Sequence, residues 1–488
     1  MSSHKKTPYV AVPTTPGEAQ ASDFAEEFEM QMLGLEDDGT ISRHHQEEED
    51  VDTQAEGQSS MSMAFMNMAN SILGAGIIGQ PFAFKNSGLL GGIVVLGLLT
   101  VLVDWTLRLI VVNANLSQSK SYQDTVSYCY GRWGKIVLLF AIGSFAYGGL
   151  MAFCVIIGDT IPHVLRVVIP LSVTDDGSPF SWLFRRNTVI IMFTTFISYP
   201  LSLNRDISKL AKASGLALVG MIIIVVITVV RGPMADSSLK EPLTPLQWTV
   251  NFNIFQGISV ISFALVCHHN TLFIYNSLRN ATVTKFAKLT HIACFVSMLC
   301  CLVMAVNGLI NFGNATKGNI LNNFKSNDNW INIARLCFGL NMLTTFPLEL
   351  FVVRDVIKEI VLANQDGGSV HDVELSKMHH FLITTVLTFT SMSVALFTCN
   401  LGVILELIGA TSASLMAYII PPACYIKLSW QRKDYYNLSK PDKRKFLLHR
   451  LAPSGFCIFF GFAVMIISSI GSINSSLNSK DAGHCNVE

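Results

Sequence analysis

The chain has 488 residues, of which 50% are hydrophobic and 14% charged, with 34 Lys+Arg against 34 Asp+Glu. Soluble domains carry roughly 25% charged residues, and several apolar runs here exceed the roughly 20 residues that cross a bilayer. A soluble fold is therefore excluded, the lipid bilayer is the chain's surroundings, and zero formal charge implies no nucleic-acid partner.

Residues 1–60 are polar and acidic, with Glu26, Glu27, Glu29, Asp37, Asp38 and a run at Glu47–Asp50. No apolar segment follows Met1, so no cleaved signal peptide is expected, and the segment reads as a disordered cytosolic tail. About eleven spans follow by run length: 61–84, 88–113, 135–170, 187–203, 207–230, 253–277, 289–312, 329–359, 378–399, 402–427 and 448–473. Basic residues set the orientation. With the N-terminus inside, the inner loops hold Lys120, Arg132 and Lys135, then Arg205, Lys209 and Lys212, and later Lys427 through Arg450. The positive-inside rule then places the N-terminus in the cytosol and the C-terminus outside or in a lumen. Asn314-Ala315-Thr316 and Asn474-Ser475-Ser476 fall on the glycosylating side, whereas Asn280 and Asn437 do not.

The first span is interrupted. Asn70-Ser71-Ile72-Leu73-Gly74-Ala75-Gly76-Ile77-Ile78-Gly79-Gln80-Pro81 holds three glycines and a proline where an unbroken helix would stand. Backbone groups freed at that depth must be satisfied by protein, ligand or cavity. The following half-helix offers N–H groups to a carboxylate, and the preceding one offers carbonyls to a cation. The sixth span is interrupted too, at Cys267-His268-His269-Asn270-Thr271. Paired interruptions in corresponding spans point to an inverted repeat with a central site. The division is then a repeat over 61–230, a second over 253–427, an eleventh helix at 448–473, and a tail at 474–488. The 11 cysteines lie mostly in apolar runs and show neither a zinc spacing nor a secreted disulfide framework. No metal and no organic cofactor is expected. No nucleophile–base constellation or phosphate loop is present, so the chain does not read as an enzyme.

Four stretches carry a resemblance. Asn70 to Ile77 with Pro81, Phe263 to Tyr275, Leu343-Thr344-Thr345-Phe346-Pro347-Leu348-Glu349 with Arg354, and Gly402 to Gly409 with Ile420 to Lys427 resemble the first, sixth, eighth and tenth helices of the amino acid/auxin permease family. The sodium-coupled neutral amino acid transporters and the fungal vacuolar amino acid transporters are its similar branches. The resemblance covers about 60–475 and implies an all-α polytopic membrane protein with a leucine-transporter-like 5+5 inverted repeat plus an eleventh helix. It also implies secondary transport of L-amino acids by alternating access. It leaves the coupling ion open between H+ and Na+.

The expected substrate site comprises Ser71 and the backbone of Gly74, Ala75 and Gly76 for the carboxylate, with the carbonyls of Phe263 and Ala264 for the ammonium. Phe263 caps the pocket, and Tyr147 reaches the carboxylate as the fold implies. Asn70, Ser71, Thr344 and Thr345 would form a neutral oxygen cage for a cation. His268, His269 and Glu406 are the proton-coupling candidates, with Asp159 a further buried carboxylate. Asp104 and Arg108 form an i,i+4 pair, and Glu349, Arg354 and Asp355 are expected to close span 8 at the inner face. Proton-coupled movement across a vacuolar or other endomembrane is the preferred reading. The alternatives are sodium-coupled uptake at the plasma membrane and an amino acid sensor signalling through residues 1–60.

Overall fold

A hydrocarbon environment leaves helices as the way for a chain of this kind to satisfy its own backbone. The computed structural model describes residues 59–169, 179–205, 214–362, 375–398, 400–431 and 440–478, and their regular structure is helical apart from one isolated bridge between Ser59 and Leu278. The expected tail at 1–60 lies almost wholly outside the described residues.

Helix α1 (Met61–Ile72) is capped by Ser60, whose hydroxyl accepts from Met63 N–H. A 3-10 turn, Ala75–Gly79, leads into α2 (Gln80–Ser87), with Pro81 in its first turn where a missing N–H costs nothing. Next come α3 (Leu89–Leu116) and α4 (Tyr122–Val168), the latter bent at Gly131, which has φ 65°. Then come α5 (Arg186–Phe193), a π turn (Thr194–Ser198), α6 (Tyr199–Leu203) and α7 (Ser214–Arg231). A short α8 (Pro245–Trp248) precedes α9 (Ile254–Leu265), a 3-10 turn (His268–Asn270) and α10 (Thr271–Ser277). The rest comprises α11 (Val283–Phe312), α12 (Asn329–Leu362), α13 (Lys377–Phe397), α14 (Leu401–Ile408), α15 (Ile420–Gln431), α16 (Lys440–Phe446) and α17 (Ala452–Asn478).

Eight of the described spans are long and apolar enough to cross a membrane, and the bent pair Met61–Ile72 and Ala75–Ser87 makes nine. The other two of the expected eleven, the fourth and fifth, are helical but shorter or less apolar among the described residues. The fourth predicted span is divided by a π turn, because Pro200 has no N–H for the Phe196 carbonyl and the turn before it widens. The fifth survives as a shorter apolar helix, Ala217–Arg231, and residues 207–213 lie outside the described chain. The third span is the part of α4 beyond the bend at Gly131, running to Val168, and the last helix runs to Asn478 rather than 473.

The two longest helices, α4 and α12, lie antiparallel along their length. A Cβ on Gly143 would stand 3.1 Å from Val356, one on Gly149 4.0 Å from Glu349, and one on Gly339 2.5 Å from Ile161. Against this pair stand α9, α14 and the broken first span. At Gly409 a Cβ would lie 1.8 Å from the Ser259 carbonyl, so only glycine lets α9 approach span 10 this closely. Helix α17 is exposed on most of its surface, yet Ser468 Oγ donates to Phe255 O at 2.7 Å and Ser472 Oγ to Glu406 Oε2 at 2.7 Å. It is fastened to the bundle by these hydrogen bonds and by a narrow apolar seam, with Val464 fully buried and the Phe460 ring 5.5 Å from Tyr418.

Polar groups at the helix ends tie the bundle together. Arg186 reaches Asp159 at 3.3 Å and also donates to the Ala395 and Thr398 carbonyls, both at 3.1 Å. Asn322 and Asn319 donate to the other Asp159 oxygen at 2.9 and 3.3 Å. Asp159 is therefore a junction of α4, α5 and the loop before α12. At the opposite end Lys135 pairs with Glu359 at 2.6 Å, and Arg354 donates to Ser202 O at 3.3 Å and Thr384 Oγ1 at 3.2 Å. Arg354 thus ties α12 to α6 and α13. The expected Asp104–Arg108 pair forms at 2.9 Å, with His291 on the same carboxylate at 3.0 Å.

Candidate substrate and ion site

Helix α1 stops where Leu73 N–H bonds the Ala69 carbonyl at 2.8 Å. Beyond it Gly74 takes a non-helical conformation, and Ile77 N–H returns to Gly74 O at 3.4 Å. Gln80, fully buried, donates from Nε2 to the Gly76 carbonyl at 3.1 Å and so braces the unwound stretch from the side of α2. Its Oε1 is buried without a partner. Helix α9 stops in the same manner: Val266 N–H bonds Ser262 O at 3.1 Å, and Val266 and Cys267 leave the helical region. Each break leaves the last carbonyls of one half-helix and the first N–H groups of the next without intrahelical partners.

The two breaks meet. A Cβ on Gly76 would lie 2.4 Å from the Ala264 Cβ and 2.5 Å from its Cα. The structure therefore brings Gly74, Ala75 and Gly76 together with Phe263 and Ala264, with partial dipoles of opposite sign presented within one small volume. The Phe263 ring lies 5.3 Å from Phe145, and Phe145 lies 5.5 Å from His269. These centroid distances suit tilted aromatic packing and make Phe145 the wall of α4 at this level.

Tyr147 is not on that wall. At about 100° per residue it is turned roughly 160° around α4 from Phe145, off the face that meets Phe263. The residues that share the Phe145 face are Gly148, against Ile408, and Gly149, toward Glu349.

The cation candidates fall in two pairs on different helices. Asn70 keeps a buried Oδ1 without a partner, at the end of α1. Ser71 Oγ donates to Asn67 O at 3.0 Å. On α12, Thr344 donates to Leu340 O at 3.1 Å and Thr345 to Asn341 O at 2.8 Å. Among the described residues no hydrogen bond joins the two pairs, and α7 packs against both helices. The three hydroxyls turn back onto their own helices, as is common in apolar surroundings.

His268 is fully buried, with Nε2 2.8 Å from Thr106 Oγ1 on α3 and Nδ1 without a partner. His269 is half-buried beside Phe145, and its Nδ1 also lacks a partner. Glu406 is held on both oxygens, by Asn86 Nδ2 at 2.9 Å and Ser472 Oγ at 2.7 Å, and so joins α2, α14 and α17. Glu349 is not at the end of span 8. It lies mid-helix on α12, between buried Phe346 and Leu350 and opposite Gly149. Motif spacing placed it beside Arg354, but the helix continues to Leu362. Asn314 is exposed, its Oδ1 accepting from Gln247 Nε2 at 3.2 Å, and Asn474 is exposed on α17.

Sequence reasoning missed Gln80, Phe145 and the Asn86–Ser472 pair. Gln80 was detectable as a lone amide following the glycines inside an apolar run. Phe145 carried no signal, since aromatic residues are frequent in the neighbouring spans.

The chain matches the profile of a family described as "Transmembrane amino acid transporter protein" over residues 57–474. It is 50% identical over 444 residues to vacuolar amino acid transporter 2 of Saccharomyces cerevisiae, covering 90% of this chain and 88% of that one. It is 36% identical to a putative sodium-coupled neutral amino acid transporter 11 of Danio rerio, covering 77% and 81%, and 33% identical to the Rattus norvegicus protein of that name, covering 78% and 80%. With its two broken spans meeting at Gly76 and Ala264, the chain belongs to the family of transmembrane amino acid transporter proteins, the amino acid/auxin permeases that its motifs resemble.

Proposed function

We propose that the chain is a secondary active transporter of L-amino acids, neutral ones foremost, working by alternating access and coupled to protons across a vacuolar or other endomembrane. The observation that carries this reading is the meeting of the unwound stretches at Gly76 and Ala264. A zwitterion placed there has N–H groups from the 3-10 turn for its carboxylate and carbonyls from the end of α9 for its ammonium. Helices α4 and α12, packed along their length, serve as a scaffold, and the broken spans rock against them within a 5+5 inverted repeat. The N-terminus faces the cytosol and the C-terminal helix ends in the lumen. The name of the yeast relative favours the vacuolar membrane.

Sodium coupling is the second reading. It is favoured by the names of the animal relatives and by the unpartnered oxygen of Asn70 at the break. The deciding measurement is uptake of neutral L-amino acids by proteoliposomes under a pH gradient or a sodium gradient, imposed separately. Uptake driven by pH alone supports the first reading, and uptake driven by sodium alone replaces it with the second. Saturable binding without flux under either gradient would return attention to a sensor.

A further inference from the structure

Glu349 is the carboxylate that the fold leaves alone. Its Oε2 is buried with no hydrogen-bond partner, and among the described residues no donor or cation contacts the side chain. Phe346 and Leu350 beside it are fully buried, as is Val353 nearly, so the residue is on the inward face of α12 and not toward lipid. Across the seam stands Gly149, on the face of α4 that carries Phe145. The side chain as a whole is half-buried.

The charged groups around it are engaged elsewhere. On α12, Arg354 is bonded to the Ser202 carbonyl and Thr384, Asp355 lies near Lys358, and Glu359 is paired with Lys135. On α4, Asp159 is paired with Arg186, and no hydrogen bond joins Tyr147, Cys154 or His163 to Glu349 among the described residues. On α13, His380 sits beside Arg354, and on α7 Arg231 is paired with Asp328. An isolated carboxylate in apolar surroundings takes up a proton or a cation rather than remain a bare anion. Glu406 differs, since two neutral donors satisfy both of its oxygens.

We propose that Glu349 is the residue that binds and releases the coupling proton, and that Glu406 is a clasp between α2, α14 and α17. This rests on the proton-coupled reading above. In the cycle a proton from the acidic side adds to the carboxylate, the neutral acid allows the broken spans to rock against the α4–α12 scaffold with the amino acid, and the proton leaves to water on the other side.

The test uses the full chain in proteoliposomes, with a pH-sensitive dye trapped inside and a radiolabelled neutral amino acid. Glu349→Gln, fixed in the neutral form, should lose gradient-driven accumulation by at least about tenfold. It should retain amino acid counterflow at equal pH within about twofold, and amino-acid-induced proton movement should vanish. Glu406→Gln should keep gradient-driven accumulation. Accumulation by Glu349→Gln at the wild-type level overturns the assignment while leaving proton-coupled transport intact. Wild-type uptake driven by sodium and not by pH overturns both. If Glu349→Gln fails to insert, Glu349→Asp decides: a displaced pH profile supports the assignment, and an unchanged profile overturns it.

Discussion

Gly76→Ala tests the meeting of the two broken spans directly. The added Cβ would stand 2.4 Å from Ala264 Cβ and 2.5 Å from Ala264 Cα, whereas carbons that touch sit about 3.5–4.0 Å apart. The unwound stretches must therefore part by roughly 1.1–1.6 Å, and since one obstacle is backbone, no rotamer relieves it. Overpacking of this kind costs about 1–3 kcal/mol of stability. The larger effect is on the substrate. A carboxylate held by N–H groups at about 2.9 Å cannot keep its bonds across that displacement. One charge-assisted bond contributes about 1.5–3 kcal/mol, so losing one weakens binding about 10- to 150-fold at 1.4 kcal/mol per decade. The assay is equilibrium binding of labelled amino acid to detergent-purified protein, with Gly97→Ala as control because a Cβ there meets nothing within 4 Å. Adding Ala264→Gly should not restore binding, because the backbone at position 264 would still stand 2.5 Å from the new methyl group. Gly76→Ala binding within twofold of wild type would refute the reasoning.

Four other outcomes are expected. Asp159→Ala should lower stability by about 3–5 kcal/mol, because Arg186 would be left buried and unpaired; this is read as a drop in unfolding temperature, and Asp159→Asn should fall between. Gly148→Ala places a methyl 2.4 Å from Ile408 Cδ1 and should cost about 1–3 kcal/mol, most of it recovered by Ile408→Ala in the double variant. Thr106→Val orphans the His268 Nε2 and should cost about 1–3 kcal/mol in the same unfolding measurement. Asn314→Gln should remove a glycosidase-sensitive gel shift when the chain is made in a glycosylating host, while Asn280→Gln changes nothing; the reverse pattern would invert the orientation.

The sequence made the broken first span legible because glycines and a proline in an apolar run have few other uses, and Ala75 to Gly79 indeed forms a 3-10 turn between two helices. The sixth span was legible for a different reason, since two histidines and an asparagine at mid-membrane are expensive. Roles were harder to read than positions. His268 looked like a proton carrier from its type and depth, and the fold engages it with Thr106. Tyr147 looked placed for a carboxylate because span 3 passes the site, but which residue of a helix faces inward depends on its rotation. In an apolar helix buried on most sides no periodicity reports that rotation. The π turn at Thr194–Ser198 was likewise hidden, because it follows from one missing N–H and not from a change in composition.

The polar groups within the bundle sort by whether they have partners. Asp104 with Arg108 and His291, Asp159 with Arg186 and two asparagines, and Glu406 with Asn86 and Ser472 each bind several helices at once. Removing a partner from such a cluster strands a buried dipole or charge, so these clusters hold the architecture. A buried atom is left unbonded at Asn70 Oδ1, Gln80 Oε1, His268 Nδ1, His269 Nδ1 and Glu349 Oε2, and also at other places in the bundle, Asp104 Oδ1 and Asn322 Oδ1 among them. Four of the first five lie at the two helix breaks, and the fifth lies on the seam beside the Phe145 face. An unsatisfied polar atom at this depth costs free energy in every molecule that folds, whether or not substrate is present. A site whose occupant comes and goes must accept that cost, because a group already satisfied by the protein has little to offer a ligand or a proton. On this argument the incomplete groups at the two breaks and on the seam are the ones whose replacement should change transport, and the bridged clusters are the ones whose replacement should change stability.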